Sequence, residues 1–144
     1  MYDRILVPTD GSDPANNAVD HAIDLARQHG AELHALSVVD ARHVGVGAPA
    51  VTPEEVQAAI EERSETATAR VRDRAAVEDV DVVTAVRNGS PSDEIRSYAD
   101  EEDCDLVVMG THGRTSVERY LLGSVTERVL RRGDTPVLAV RGDD

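Results

Sequence analysis

Lysine, phenylalanine and tryptophan are absent from this chain of 144 residues, which also contains a single cysteine, Cys104. With three tyrosines as its larger aromatic side chains, the protein has to build its hydrophobic core from aliphatic residues. One cysteine excludes an internal disulfide, and we expect it to be a small buried thiol beside a strand. The absence of lysine also excludes a Walker A phosphate loop, in which lysine follows glycine.

Long apolar segments are absent as well. The longest uninterrupted apolar runs, LVVM and PVLAV, are far shorter than the roughly 20 residues needed to cross a bilayer as a helix. The first residues, MYDRILVPTD, lead directly into an apolar run without the basic region or cleavage site of a secretory signal. We therefore expect a cytoplasmic protein with no membrane partner.

Positive charge is scarce. The chain has 28 acidic residues against 15 basic ones, all of them arginine, and its formal net charge is −13. Such a charge opposes binding to nucleic acid, whose affinity for proteins comes largely from basic contacts to phosphate. Two explanations of the acid excess stay open: adaptation to a cytoplasm of high salt, or a cationic partner. We favour salt adaptation, because the acids are scattered along the chain and are not gathered in one tail.

Five short, nearly continuous aliphatic runs alternate with helical patterns along the chain. Strands buried on both faces have this composition, because helices cover both sides of a parallel sheet. The alternation predicts a single α/β domain over residues 1–144, a doubly wound open sheet of five parallel strands with helices on both faces. The predicted strands are 3–8, 32–39, 80–89, 105–109 and 135–141.

Helix boundaries are marked by local signals. Pro14 suits the first turn of the first helix, and Gly30 suits the position just after its end. Thr52 and Glu55 form a capping-box pattern, which predicts a second helix from there to about residue 76. The segment 90–93, SPSD, predicts that a third helix opens in the same way.

The segment 110–124, GTHGRTSVERYLLGS, follows the fourth predicted strand and carries three glycines, with Ser124 directly after the last. Gly110 and Gly113 allow the backbone to turn sharply and to approach a ligand closely, because they have no Cβ. Gly123 and Ser124 fall at the start of the last helix, where free amides and the helix dipole favour an anion. The segment therefore suits a phosphate chain, although glycines also serve ordinary turns and helix ends.

Positive charge is concentrated in the same part of the chain. Between residues 114 and 132, five arginines face two glutamates, so the segment is locally +3 on a chain of −13. Arg114 lies inside the glycine segment and is the best candidate to touch a phosphate. The arginines at 128, 131 and 132 are equally explained as a solvated helix face. The glycine spacing is not that of the GxGxxG dinucleotide motif.

The sequence resembles the universal stress protein family, in particular its ATP-binding branch, which carries G-x2-G-x9-G-[S/T] after the fourth strand. The glycines at 110, 113 and 123 and the serine at 124 fit every spacing of this motif. ILVPTDGS (5–12), HALSVVD (34–40) and GSVTERVLRRGDTPVLAVR (123–141) are also similar to segments of the family. The resemblance covers essentially the whole chain, and the loop 40–52 departs most from it.

The resemblance implies the strand order 3-2-1-4-5, which sets the ends of the first and fourth strands side by side. It also implies a nucleotide site in the crevice between them, with Val38 offering backbone hydrogen bonds to the base. The implied triphosphate contacts are Gly110, His112, Gly113, Gly123, Ser124 and Val125. The implied ribose and adenine contacts are Pro8, Thr9, Asp10, Val38 and Met109.

The family further implies a cofactor and a partner. ATP is expected with Mg²⁺ or Mn²⁺ that is held largely by the phosphates, so no protein residue is assigned as a metal ligand. The histidines at 21, 29, 34 and 43 have no metal-ligand spacing and are interpreted as structural or solvated. Homodimers are expected through the fifth strand, where an open apolar edge would otherwise be a hazard. The residues of that edge are Val137, Leu138, Ala139 and Val140.

Several candidate residues have two interpretations. Asp10 could hold a ribose hydroxyl or a metal-bound water, or it could form a turn or cap a helix. Thr9 could likewise be a cap or turn residue. His112 could donate to a phosphate oxygen, or it could be an exposed loop histidine.

Three functions are open at this point. The first is a regulatory dimer that binds ATP and changes shape or partners with occupancy. The second is a slow ATPase or a nucleotidyl-transfer enzyme. No general base or lysine accompanies the phosphate segment, and THGR is not the HxGH signature of nucleotidyltransferases. No catalytic residue is therefore assigned. The third is an interaction dimer without nucleotide, against which the intact glycine motif argues.

Overall fold

The computed structural model describes residues 1–40, 52–111 and 123–141. Within these ranges five strands alternate with four helices, as the sequence predicts. The elements are β1 Arg4–Pro8, α1 Asp13–His29, β2 Glu32–Val39, α2 Pro53–Val77, β3 Val82–Asn88, α3 Pro91–Glu101, β4 Leu106–Gly110, α4 Ser124–Arg132 and β5 Val137–Val140.

The five strands form one parallel sheet in the order β3-β2-β1-β4-β5. This confirms the predicted topology. The strand order reverses between β1 and β4, which pair through Ile5 with Leu106 and through Leu6 with Val107. In sheets of this kind a crevice opens outside the carboxyl ends of the two strands at the reversal, and ligands bind there.

Aliphatic side chains fill both faces of the sheet. Alternate residues of β1 point in opposite directions. Ile5 and Val7 pack under α1 and α2, whereas Leu6 packs under α3 and α4, and all three are fully buried. Cys104 is buried just before β4, as expected, and burial raises the pKa of its thiol to about 12.

The capping signals are confirmed for two helices and are wrong in part for the third. Ser12 caps α1 and Gly30 ends it in the left-handed conformation, while Thr52 and Glu55 form both capping-box hydrogen bonds of α2. Ser90 is the N-cap residue of α3, but its side chain makes no cap hydrogen bond. At the position where a capping box needs a glutamate stands Asp93, and its shorter carboxylate pairs with Arg96 at 2.7 Å.

A polar network crosses the interior between β2 and α3. His34 is 2% exposed; its Nδ1 lies 2.7 Å from the Tyr98 hydroxyl and its Nε2 lies 2.7 Å from Glu32 Oε1. A carboxylate can only accept, so Nε2 carries the proton and, in the neutral ring, Nδ1 accepts from the Tyr98 hydroxyl. Burial, followed by the charge of Glu102, raises the pKa of Tyr98 to about 12, so this donor stays protonated well into the alkaline range.

We expect Tyr98→Phe to destabilise the protein by about 1–3 kcal/mol, because the buried Nδ1 of His34 loses its partner. Urea unfolding followed by circular dichroism measures this difference. Tyr2→Phe is the matched control, since Tyr2 is only partly buried, and we expect it to leave stability nearly unchanged. Equal unfolding free energies for the wild type and Tyr98→Phe would contradict a stabilising role of the network.

Candidate functional site

The candidate site lies where the carboxyl ends of β1 and β4 meet. Continuing the register of these strands places Pro8, the last residue of β1, opposite Met109 near the end of β4. Thr9 follows directly, is 6% exposed and donates its amide to the carbonyl of Leu36 on β2 at 2.8 Å. The first strand therefore ends in a fixed position beside both of its neighbours.

The turn after β1 is held by its own side chains. Thr9 Oγ1 accepts from the amide of Gly11 at 3.1 Å, and Asp10 Oδ1 accepts from the amide of Ser12 at 2.9 Å. Gly11 has φ +80°, a conformation that favours glycine. Thr9 and Asp10 thus hold the turn, and their expected contacts to a ribose or a metal-bound water stay predictions.

The ends of the glycine segment lie side by side. The amide of Thr111 donates to Val140 at 2.8 Å, and the amide of Gly123 donates to the carbonyl of Thr111 at 2.5 Å. The start of α4 is therefore joined to the end of β4. His112, Gly113 and Arg114 lie outside the described residues.

The expectation of a sharp turn at Gly110 is wrong. Gly110 is the last residue of β4 and pairs with Val140, so it continues the strand. Its carbonyl accepts a hydrogen bond of 2.8 Å from the hydroxyl of Thr126, which is 4% exposed. Sequence reasoning missed Thr126, although a hydroxyl one turn into the last helix was a usable signal. Its bond fixes the first turn of α4 against β4.

The first turn of α4 presents backbone amides. Gly123 is the N-cap, with φ −62° and ψ 152°, and no side chain of the described residues caps the helix. The first intrahelical bond runs from Glu127 to the carbonyl of Gly123, and the amides before it have no intrahelical partner. The amide of Gly123 itself donates to the carbonyl of Thr111. Among the described residues, the backbone donors left at this helix end are the amides of Ser124, Val125 and Thr126, with the exposed Ser124 hydroxyl beside them.

An apolar wall lies next to these donors. Met109 is 6% exposed and belongs to the core between the sheet, α3 and α4. Val38, near the end of β2, is partly buried and packs against the same core. The site thus combines an apolar surface, a fixed turn after β1 and the positive end of a helix. This combination suits a ligand with a flat apolar part and an anionic part.

Neither a metal centre nor a membrane span is found among the residues that the structure describes. The described residues contain no group of three or more His, Cys, Asp or Glu side chains that could hold a metal ion. Within 1–40, 52–111 and 123–141, no helix has the length and apolar character needed to span a bilayer.

Comparison with known proteins gives the family. The sequence model of the universal stress protein family matches residues 1–141. The chain belongs to the universal stress protein family. Universal stress protein MJ0531 of Methanocaldococcus jannaschii is 40% identical over 142 residues, which span 98% of this chain and 83% of that relative. The resemblance noted in the sequence is thereby confirmed.

Solved structures agree with the fold of this universal stress protein. The structure of MJ0577 has a TM-score of 0.88 and 30% sequence identity, with 100% of this chain and 99% of that chain covered. MJ0577 is also a universal stress protein of Methanocaldococcus jannaschii. A universal stress protein in complex with cAMP has a TM-score of 0.72 and 30% identity, with 97% of each chain covered.

Proposed function

We propose that this universal stress protein binds ATP at the carboxyl ends of β1 and β4 and acts as a homodimeric regulatory module. The observation that carries the proposal is the first turn of α4. Its amides at Ser124 and Val125, which no side chain of the described residues caps, stand next to the reversal of strand order, where the dipole of the helix favours a phosphate.

The other proposed contacts to the nucleotide follow from where each residue lies in the sheet. The adenine would lie against Val38 and Met109, and the ribose would lie at Pro8, Thr9 and Asp10. Because the side chains of Thr9 and Asp10 already hold the turn, they position the backbone around the sugar. The phosphates would reach the start of α4. Gly110, His112, Gly113 and Arg114 complete the phosphate contacts that the family resemblance implies.

A relative supports the choice of an adenine nucleotide as the ligand. The universal stress protein solved in complex with cAMP shares this fold and 30% of its residues with our chain. Both cAMP and ATP present an adenine, a ribose and phosphate. We favour ATP because the G-x2-G-x9-G-S motif provides amides for more than one phosphate.

Mg²⁺ or Mn²⁺ would accompany the nucleotide through its phosphate oxygens. The described residues offer no cluster of metal ligands, and the proposed site therefore relies on the phosphates to hold the ion. The ion would neutralise phosphate charge in a protein whose own net charge is −13. We propose a regulatory role over an enzymatic one because no lysine and no evident general base accompany the phosphate segment; slow hydrolysis is the alternative.

Ser124→Ala should weaken ATP binding by about 1.5–3 kcal/mol if the hydroxyl donates to a charged phosphate oxygen. Isothermal titration calorimetry with ATP and Mg²⁺ in buffer of high salt measures the loss. Ser97→Ala is the matched control, because Ser97 is an exposed serine of α3 far along the chain from the site. A folded wild-type protein that gives no heat at millimolar ATP would refute the nucleotide site and favour the interaction dimer.

The homodimer is proposed from the edge of β5 that pairs with no strand of the described ranges. This strand pairs with β4 on one side, and Leu138 is 39% exposed while Ala139 is exposed. Leu130 of α4 is 50% exposed and adds apolar surface. Pairing of Val137, Leu138, Ala139 and Val140 with their copies across a two-fold axis would cover this edge.

Leu138→Glu should convert the dimer to a monomer, because each protomer would then have to bury a carboxylate in the apolar interface. Light scattering after size exclusion measures the mass. Val83→Glu provides the matched control on β3, the opposite edge strand, because Val83 is 40% exposed. A dimer that survives Leu138→Glu, or a monomeric wild type, would contradict an interface through β5.

We also propose that the acid excess is an adaptation to high salt. Raising NaCl from about 0.1 M to about 1 M shortens the screening length from about 10 Å to about 3 Å, which weakens repulsion among the acids. The thermal unfolding midpoint should therefore rise with salt near neutral pH. Below about pH 4, where carboxylates take up protons, the rise should shrink. A midpoint that does not change with salt would favour a cationic partner instead.

A further inference from the structure

A further cleft opens beside the β1–α1 turn. It has a volume of about 470 Å³ and lies between Asp10–Gly11 and one face of α2. The turn and the helix touch at its floor, since a Cβ on Gly11 would stand 3.6 Å from the Cβ of Ala67. The residues of α2 that line the cleft are Ala59, Glu62, Arg63, Thr66, Ala67 and Arg70.

Two arginines of this cleft have no acidic partner in the part of the chain that the structure describes. Neither Arg63 nor Arg70 forms an ion pair with any residue within 1–40, 52–111 and 123–141. No acid stands three or four positions from Arg63 in α2. Arg74, one turn beyond Arg70 on the same helix, pairs with Asp20 of α1. The unpaired arginines are notable in a chain that has 28 acids for 15 bases.

The cleft combines three donors on one helix face. Arg63 and Arg70 are two turns apart, about 10.5 Å along the axis, and long arginine side chains can converge over such a distance. Thr66 is exposed between them and adds a hydroxyl. Guanidinium groups match the oxygens of a phosphate in geometry and charge. Glu62 and Asp10 also border the cleft, and Asp10 Oδ1 already accepts from the amide of Ser12.

We propose that Arg63, Thr66 and Arg70 bind a phosphate group in the cleft between α2 and the β1–α1 turn. The site goes beyond the proposed nucleotide function, and only the second of its two phosphate sources rests on that function. The phosphate comes either from a separate small phosphorylated ligand or from a nucleotide that reaches across the turn. Because Asp10 and Gly11 border this cleft and Asp10 also belongs to the proposed nucleotide site, occupancy of one site affects the other.

Titration of the full-length protein with inorganic phosphate and with pyrophosphate, followed by amide chemical shifts at constant ionic strength, tests the site. We expect saturable shifts at Gly11 and Thr66. Each of Arg63→Gln and Arg70→Gln removes a charge-assisted hydrogen bond and should weaken binding about tenfold or more. Arg72→Gln is the matched control: Arg72 is an exposed arginine of the same helix that does not line the cleft, and its loss should change affinity less than about twofold.

The variants also identify the source of the phosphate. Saturable binding of phosphate or pyrophosphate that survives Ser124→Ala supports a separate ligand. If free phosphate does not bind but Arg63→Gln and Arg70→Gln each weaken ATP binding, the nucleotide's own phosphate uses the arginines. Equal losses in Arg72→Gln and the two cleft variants would overturn the site, as would no saturable binding and unchanged ATP affinity. If ATP does not bind at the proposed nucleotide site, the amide chemical shifts on titration with phosphate should still appear.

Discussion

The amide of Gly123 donates to the carbonyl of Thr111, and this bond joins the two ends of the segment between β4 and α4. Together with the bond from Thr126 to the carbonyl of Gly110, it holds the first turn of the last helix at the tip of the fourth strand. Because β4 neighbours β1 in the sheet, the positive end of that helix stands beside the crevice. The proposed phosphate contacts depend on this placement.

Much of the fold could be predicted from the sequence because its signals are local. Aliphatic runs identified five strands, and Thr52 with Glu55 identified the start of α2. The strand order came from the family resemblance. The predicted cap of α3 failed in part at Ser90, because the partner of a capping serine depends on rotamers and on competing pairs such as Asp93 with Arg96. A four-residue pattern does not contain that information.

The candidate site was predictable in its backbone and less so in its side chains. Gly123 and Ser124 are at the start of α4 as predicted. Gly110 was expected to turn, yet it continues β4, because its pairing with β5 decides its conformation. Thr126 acts through a bond to a strand distant in sequence, and the two cleft arginines come to border the β1–α1 turn only in the folded chain. No spacing rule reports either fact. The cytoplasmic location and the roles of His112, Gly113 and Arg114 stay predictions.

The central claim is that the amides at the start of α4 bind the phosphates of ATP. A crystal structure of the protein grown with ATP and Mg²⁺ tests it most directly. The account predicts phosphate oxygens within hydrogen-bond distance, about 2.7–3.2 Å, of the amide nitrogens of Ser124 and Val125. Nucleotide bound elsewhere, or phosphates directed away from α4 with those amides bonded to protein groups, would contradict it.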